Sequence, residues 1–291
     1  MIDTLCIIGV GLIGGSLARA LREAGLVRRV VGCGRDAGNL ARAIELGVID
    51  EAFHDPAQAV VGADMVVVAV TLGATGEILQ RIAPSLRADA IVTDVGSAKA
   101  CVIEAARQAL APSALPRFVP GHPIAGAEKS GVEAANAQLY QRHRVILTPL
   151  PEQSAAALAS VVAMWEATGA EVLCMDATLH DQVLAATSHL PHVLAYAMVN
   201  CLLDLDTPVS VMDYAAGGFR DFTRIASSNP PMWRDIALNN APALLAMIGH
   251  FETSLGQLRQ ALEARDAVAL EQAFSRAKTA RDDYLSRSIR T

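Results

Sequence analysis

Three stretches of this sequence carry side chains suited to acid–base and anion chemistry. Gly121-His122-Pro123-Ile124-Ala125-Gly126 sets one imidazole between residues that restrict the backbone, in an expected loop. Imidazole titrates near neutrality, so His122 is a candidate general base. Ser188-His189-Leu190-Pro191-His192 lies inside an expected helix. Pro191 has no N–H to give the Thr187 carbonyl, so the helix should kink there and aim His192 at a cleft. His189 and His192 also have ligand spacing, but no third ligand follows at convincing spacing, and no metal site is expected. The third stretch, Gly217-Gly218-Phe219-Arg220-Asp221-Phe222-Thr223-Arg224, places two arginines after two glycines in an expected interhelical loop. Guanidinium groups pair with carboxylates through two parallel bonds, so Arg224 is a candidate carboxylate binder. Arg220 reads equally well as half of a surface pair with Asp221. His54, His143, His180 and His250 have no comparable context.

A different chemistry is written in Gly9-Val10-Gly11-Leu12-Ile13-Gly14. The motif follows an apolar run and opens a helical stretch, the setting in which three such glycines bind a dinucleotide. Gly9 permits a tight turn, Gly11 a close approach of a pyrophosphate, and Gly14 close packing of helix on sheet. The amides at Leu12 and Ile13 then face the anion. An acidic residue about 20 positions further on would bind the ribose 2′-hydroxyl of NAD. Gly34 occupies that place and Arg35 follows it, which favours the 2′-phosphate of NADP; a shift of one or two residues would instead give Asp36 to NAD. Thr71 and Ser97 follow two further apolar runs and are candidate cofactor contacts, Ser97 near the nicotinamide. Ser97 can equally be a helix N-cap.

Elements must hold these residues together. Apolar runs at 5–10, 30–32, 65–70, 90–93, 118–119 and 145–147 alternate with Ala-rich helical stretches such as 16–24 and 37–46. Continuous apolar runs are the mark of parallel strands buried on both faces, so a doubly wound sheet is expected. Strand signals fade after about residue 175. Asp176, Asn229 and Asp266 read as helix N-caps, the second followed by Pro230. Leu244, Leu245, Ile248, Phe251, Leu255, Leu258 and Leu262 form a helical stripe that asks for burial, against another subunit or within the chain. The division is therefore 1–175 for dinucleotide binding and 176–291 for a helical domain.

Composition limits the rest. The 291 residues carry a net charge of -6, which argues against a nucleic-acid or anionic-membrane binder. Five scattered cysteines without a C-x-x-C pair fit a reducing cytoplasm and no disulfide framework. No segment reads as a membrane span or a signal peptide.

Taken in order, the glycine motif through Ser16, the 121–126 segment, Glu128-Lys129-Ser130-Gly131, the 188–192 segment, and 218–224 with Trp233-Arg234-Asp235 resemble the prephenate/arogenate dehydrogenase family of tyrosine biosynthesis. The resemblance fits an α/β Rossmann-type domain followed by an all-α dimerisation domain, and the broad apolar stripe over 244–262 leads to the expectation of a homodimer through that domain. The resemblance implies oxidative decarboxylation of prephenate or arogenate, with hydride passing to NADP or NAD. By resemblance His122 takes the proton of the substrate 4-hydroxyl and Ser97 positions that hydroxyl. Arg224 binds a substrate carboxylate with His192 and Ser188 assisting, and Glu128, Arg220 and Asp221 form a polar cluster at the mouth. Gly34-Arg35 departs from the acid common in NAD-dependent members. Strict arogenate use would need an acid for its ammonium; 138–144 holds none and two arginines, so prephenate is expected to be accepted. A β-hydroxyacid dehydrogenase, an imine reductase or a silent NADP-binding regulator would keep the glycines without the set His122, His192 and Arg224.

Overall fold

The structure is a computed structural model that describes residues 1–127 and 129–288. By internal packing the chain forms two units, Met1–Ala241 and Pro242–Thr291.

The first unit begins with alternating strands and helices: β1 (Ile2–Ile8), α1 (Leu12–Glu23), β2 (Val27–Cys33), α2 (Ala37–Glu45), β3 (Glu51–Phe53), α3 (Pro56–Ala59), β4 (Met65–Val68), α4 (Leu72–Ile82), β5 (Ile91–Asp94), α5 (Ala100–Ala109) and β6 (Phe118–Val119). The six strands form one parallel sheet in the order β3-β2-β1-β4-β5-β6. Side chains alternate across a strand, and here both faces are covered. Leu5, Ile7 and Val67 enter one core with Leu17 and Leu21 of α1, while Cys6, Ile8, Val66 and Val68 enter the other with Leu79 of α4 and Val102 of α5. The expected doubly wound sheet is present.

The remaining strands depart from that expectation. β7 (Gly121–Pro123) and β8 (Arg144–Leu147) run antiparallel, and β8 pairs in parallel with β9 (Glu171–Cys174) across the connecting α6 (Ala155–Glu166). They make a separate three-stranded sheet. Pro123 lacks a donor and Gly121 lacks a side chain, so β7 carries little strand signal of its own. His122 is consequently a strand residue rather than a loop residue, and its position is fixed by pairing with Ile146.

The helical part of this unit contains α7 (Ala177–Leu184), α8 (Leu190–Leu203), α9 (Gly217–Thr223) and α10 (Pro230–Asn239). Asp176 caps α7 by accepting from the Thr178 and Leu179 amides, and Asn229 caps α10 by accepting from Met232. The break at Pro191 takes the form of a π-helical turn over Ala185–His189, after which α8 starts with proline in its first turn. The wider turn lets the chain pass the missing i→i−4 bond. The glycine-and-arginine stretch is helical as well: it forms α9 and a 3₁₀ turn, Arg224–Ser227, where a loop was expected. Glycines at 217 and 218 sit at the helix start, where their low helix propensity costs least.

The second unit consists of α11 (Ala241–Glu263), counted from Pro242, and α12 (Ala267–Ser288). Asp266 caps α12 by accepting from the Ala269 amide.

Candidate active site

The glycine loop bridges β1 and α1 at the carboxyl end of the sheet. Gly9 has φ +101°, and a Cβ there would lie 2.2 Å from the Ala69 carbonyl oxygen. A Cβ on Gly14 would lie 2.4 Å from the Gly9 carbonyl oxygen. A Cβ on Gly11 would meet nothing within 4 Å. Two glycines are therefore required by the protein's own packing, and the third opens space for something else. No side chain caps the α1 N-terminus, where Leu12 and Ile13 begin the helix. Such a helix start beside open space suits the pyrophosphate of a dinucleotide. The loop is braced from outside: Asn39 donates to the Val10 carbonyl, and buried Tyr140 donates to that of Ile13.

At the end of β2, Gly34 donates to the Phe53 carbonyl and Arg35 is exposed. The Asp36 carboxylate caps α2 by accepting from the Asn39 amide. A Cβ on Gly34 would meet Leu40 carbons at 3.5 to 3.9 Å, an ordinary contact. Thr71 is exposed and precedes α4 without capping it by its side chain.

The β5–α5 turn and β7 meet through a buried ion pair that sequence reasoning missed. Lys99, 0% exposed, donates Nζ to Asp94 Oδ2 and, at 2.6 Å, to the Gly121 carbonyl. Asp94 Oδ1 accepts from the Gly121 amide at 3.1 Å, and Oδ2 from Gly96 at 2.7 Å. Gly121 is thus held through both its N–H and its C=O, which fixes the residue before His122. The α5 N-cap is Lys99, so Ser97 does not cap that helix; it is half-buried in the turn.

His122 is buried and its Nδ1 lies 2.9 Å from Nε2 of His180. The Nδ1 of His180 lies 2.8 Å from Asp181 Oδ1. Asp181 in turn accepts from the amides of Lys99 at 2.7 Å and Ala100 at 2.9 Å, so it sits on the N-terminus of α5. Burial pushes the Asp181 pKa up, yet the bonds from His180, Lys99 and Ala100 outweigh it and hold the carboxyl below its ordinary value. His122 is held well below the usual imidazole range, chiefly by burial and then by His180 and Lys99. Neither Asp94 and Lys99 nor His180 and Asp181 has a revealing spacing. Their roles come from contacts between β5, α5, β7 and α7.

On the other side of the same turn, the Asn240 amide nitrogen donates to the Asp181 carbonyl at 2.8 Å and contacts His189 Nδ1 at 3.0 Å. The Ser97 backbone approaches the His189 ring, while His189 Nε2 is buried without a hydrogen bond of normal geometry. His192 stacks on Trp233 with centroids 3.5 Å apart and gives Nδ1 to the Ser188 carbonyl at 2.9 Å. Burial lowers the His192 pKa, and the charge of Arg224 lowers it further. The structure therefore groups Ser97 with His189, and His192 with Ser188 and Arg224. Arg224 itself is exposed, as are Arg220 and Asp221 on α9; Glu128 lies outside the described residues. A cavity of about 290 Å³ lined by Met1, Ile2, Asp64 and Ile91 is at the opposite, amino-terminal edge of the sheet and holds none of these groups.

Residues 17–174 match the family model described as prephenate dehydrogenase, nucleotide-binding domain, and residues 176–276 match prephenate dehydrogenase, dimerization domain. The chain is 40% identical over 281 residues to the cyclohexadienyl dehydrogenase of Zymomonas mobilis, covering 95% of this chain and 94% of the relative. It is 36% identical over 284 residues to the prephenate dehydrogenase of Bacillus subtilis, covering 97% and 76%. A crystal structure of prephenate dehydrogenase from Aquifex aeolicus, in complex with hydroxyphenyl propionate and NAD+, superimposes with a TM-score of 0.92 at 36% identity, over 98% of this chain and 99% of that one. Synechocystis arogenate dehydrogenase superimposes with a TM-score of 0.82 at 28% identity, over 97% and 99%.

Proposed function

The chain belongs to the prephenate dehydrogenase family, and from that premise we propose how its residues carry the reaction. It is a nicotinamide-dependent oxidoreductase that oxidatively decarboxylates a cyclohexadienyl dicarboxylate, prephenate or arogenate. The observation that carries the assignment of roles is the buried His122, pinned by Gly121 and His180 beside the β5–α5 turn.

When bound, the nicotinamide accepts the hydride from ring C4 of the substrate. His122 accepts a hydrogen bond from the 4-hydroxyl and draws its proton as the hydride leaves. As the C1 carboxylate departs as carbon dioxide, the ring becomes aromatic and its C4 oxygen a phenolate, to which His122 returns the proton. Atoms and charge balance with no other reactant. Aromatisation drives the step, so the protein's share is orientation and management of one proton.

Ser97 positions the hydroxyl. Arg224 binds a substrate carboxylate, with His192 and Ser188 beside it. His192 gives its Nδ1 proton to Ser188, so its neutral ring offers Nε2 as an acceptor, which suits the ammonium of arogenate as well as a hydroxyl or water. Gly9, Gly11, Leu12, Ile13 and Gly14 hold the pyrophosphate, Thr71 lines the same crevice, and Gly34 with Arg35 takes the 2′-phosphate of NADP in preference to NAD. Residues 1–175 bind the dinucleotide, and 176–291 complete the substrate site and form a homodimer that works in the cytoplasm. Rates with prephenate and arogenate, each with NADP and NAD, test the reading. Prephenate turnover faster with NADP is expected; no turnover of either substrate would overturn it.

A further inference from the structure

We propose that His180 and Asp181 are positioning residues that fix the tautomer of His122, so that its Nε2 presents the lone pair which takes the substrate proton. The inference rests on the reading of His122 as the proton acceptor and adds what makes it one.

Both oxygens of Asp181 are occupied by donors that cannot reverse: Oδ1 by the Lys99 amide and Oδ2 by the Ala100 amide. Two amide donors on separate oxygens at the α5 N-terminus favour the ionised form, and the carboxyl is held below its ordinary value, so Asp181 is a carboxylate. An ionised carboxylate only accepts. The His180 nitrogen 2.8 Å from Oδ1 is therefore the one carrying the proton. A neutral His180 then has its lone pair on Nε2, and the partner 2.9 Å away, Nδ1 of His122, must donate. This leaves Nε2 of His122 unprotonated. With His180 neutral, each assignment forces the next.

The same order supports the charge that appears during the reaction. When His122 takes the proton, its Nδ1–H bond to His180 tightens, and the polarisation is carried to the Asp181 carboxylate at the α5 N-terminus. The other charged or titratable groups around the ring are Lys99, whose charge is matched by Asp94, and His189. The alternative arrangement is an imidazolium at His180. It would donate to His122 Nδ1 and place the proton on His122 Nε2, where no base would remain.

The direct test is the ring-nitrogen NMR of ¹⁵N-histidine-labelled protein at neutral pH, in wild type and in two variants. The wild type should show His122 protonated at Nδ1 and bare at Nε2. In His180→Phe the acceptor is gone, and His122 should shift towards the Nε2–H tautomer. The kcat of that variant should fall by at least about tenfold, and by no more than the 10²–10⁴ a general base is worth, while KM changes less than about threefold. In His180→Gln the side-chain carbonyl reaches the place of Nε2 and should restore the tautomer and most of kcat. A wild-type His122 protonated at Nε2, or a folded His180→Phe variant with unchanged kcat, would overturn the proposal. If His180→Phe does not fold, the wild-type tautomer and the glutamine variant decide it. Absence of turnover in the wild type would count against the functional reading alone, because the NMR assignment needs no substrate.

Discussion

If His122 is the base proposed above, two demands meet there: the ring must sit in a buried site, and it must stay unprotonated to accept a proton. Burial supplies both, because it disfavours the imidazolium. His122→Asn keeps a polar side chain but removes the base. Its kcat should fall about 10²–10⁴-fold with a far smaller change in KM, and steady-state kinetics that found kcat unchanged would remove the ring from the mechanism. The same burial has a consequence for stability. His189 is pushed down to about 4 by burial, and His122 also lies well below its ordinary value. In the unfolded chain both would titrate near the ordinary value of about 6.5. Between that value and about 4 the unfolded state binds more protons, so stability is fully present above about pH 6.5 and falls as the pH drops through this window. His189 alone is worth on the order of 3 kcal/mol across it. Urea denaturation at pH 7 and pH 5 should show the decline, and equal midpoints would contradict it. Gly34 carries the third prediction. The space beside it accepts a side chain, so Gly34→Asp should fold normally. A carboxylate there would repel a 2′-phosphate and bind a 2′-hydroxyl, moving the ratio of kcat/KM values towards NAD by about 10²-fold or more. An unmoved ratio would place cofactor discrimination elsewhere.

Elements turn these residues into a site, and they differ in how openly the sequence declares them. Caps were legible: Asp176, Asn229 and Asp266 each end up bonded to an amide of the first helical turn. So were β1, β2, β4 and β5, whose apolar runs need burial on both faces. β3, β7 and β9 were not, because strands of three or four residues containing Glu, Gly or Pro gain their stability from pairing rather than from their own pattern. For the same reason the glycine motif could be read directly, whereas the His122–His180 contact spans 58 positions and leaves no local mark. The glycine loop offers an element-scale test. Gly14→Ala would place a methyl 2.4 Å from the Gly9 oxygen and 2.7 Å from Ile7 Cγ2, and neither backbone nor β1 can yield cheaply. Helix α1 should lift from the sheet, costing about 1–3 kcal/mol and weakening dinucleotide binding. Thermal unfolding and a fluorescence titration with NADPH would check both effects. A variant that binds NADPH as tightly as wild type would show that the helix start does not hold the pyrophosphate.

At the scale of the whole molecule the open question is what covers the second unit. Helix α11 carries Leu245, Phe251, Leu255 and Leu262, and α12 carries Val268 and Phe274, all exposed in the single chain. Each large apolar side chain left in water forgoes about 1.5–3 kcal/mol of burial, and a monomer rarely leaves so many along two helices. Much of this surface falls within residues 176–276, the segment that matches a dimerization domain. A second copy of the chain is the occupant that fits, since a closed two-fold pairing covers the same surface on both partners. Light scattering at micromolar concentration should therefore give twice the mass of the chain. Phe251→Glu combined with Leu255→Glu should give a monomer, because a pairing would then have to bury two carboxylates per chain without partners. The exposed apolar surface of that monomer should also make it prone to aggregate. A wild-type protein that scatters as a monomer would show that these faces are solvated, and would leave the catalytic assignments of the first unit standing, since Ser97, His122, His180, Asp181 and His189 all lie within Met1–Ala241.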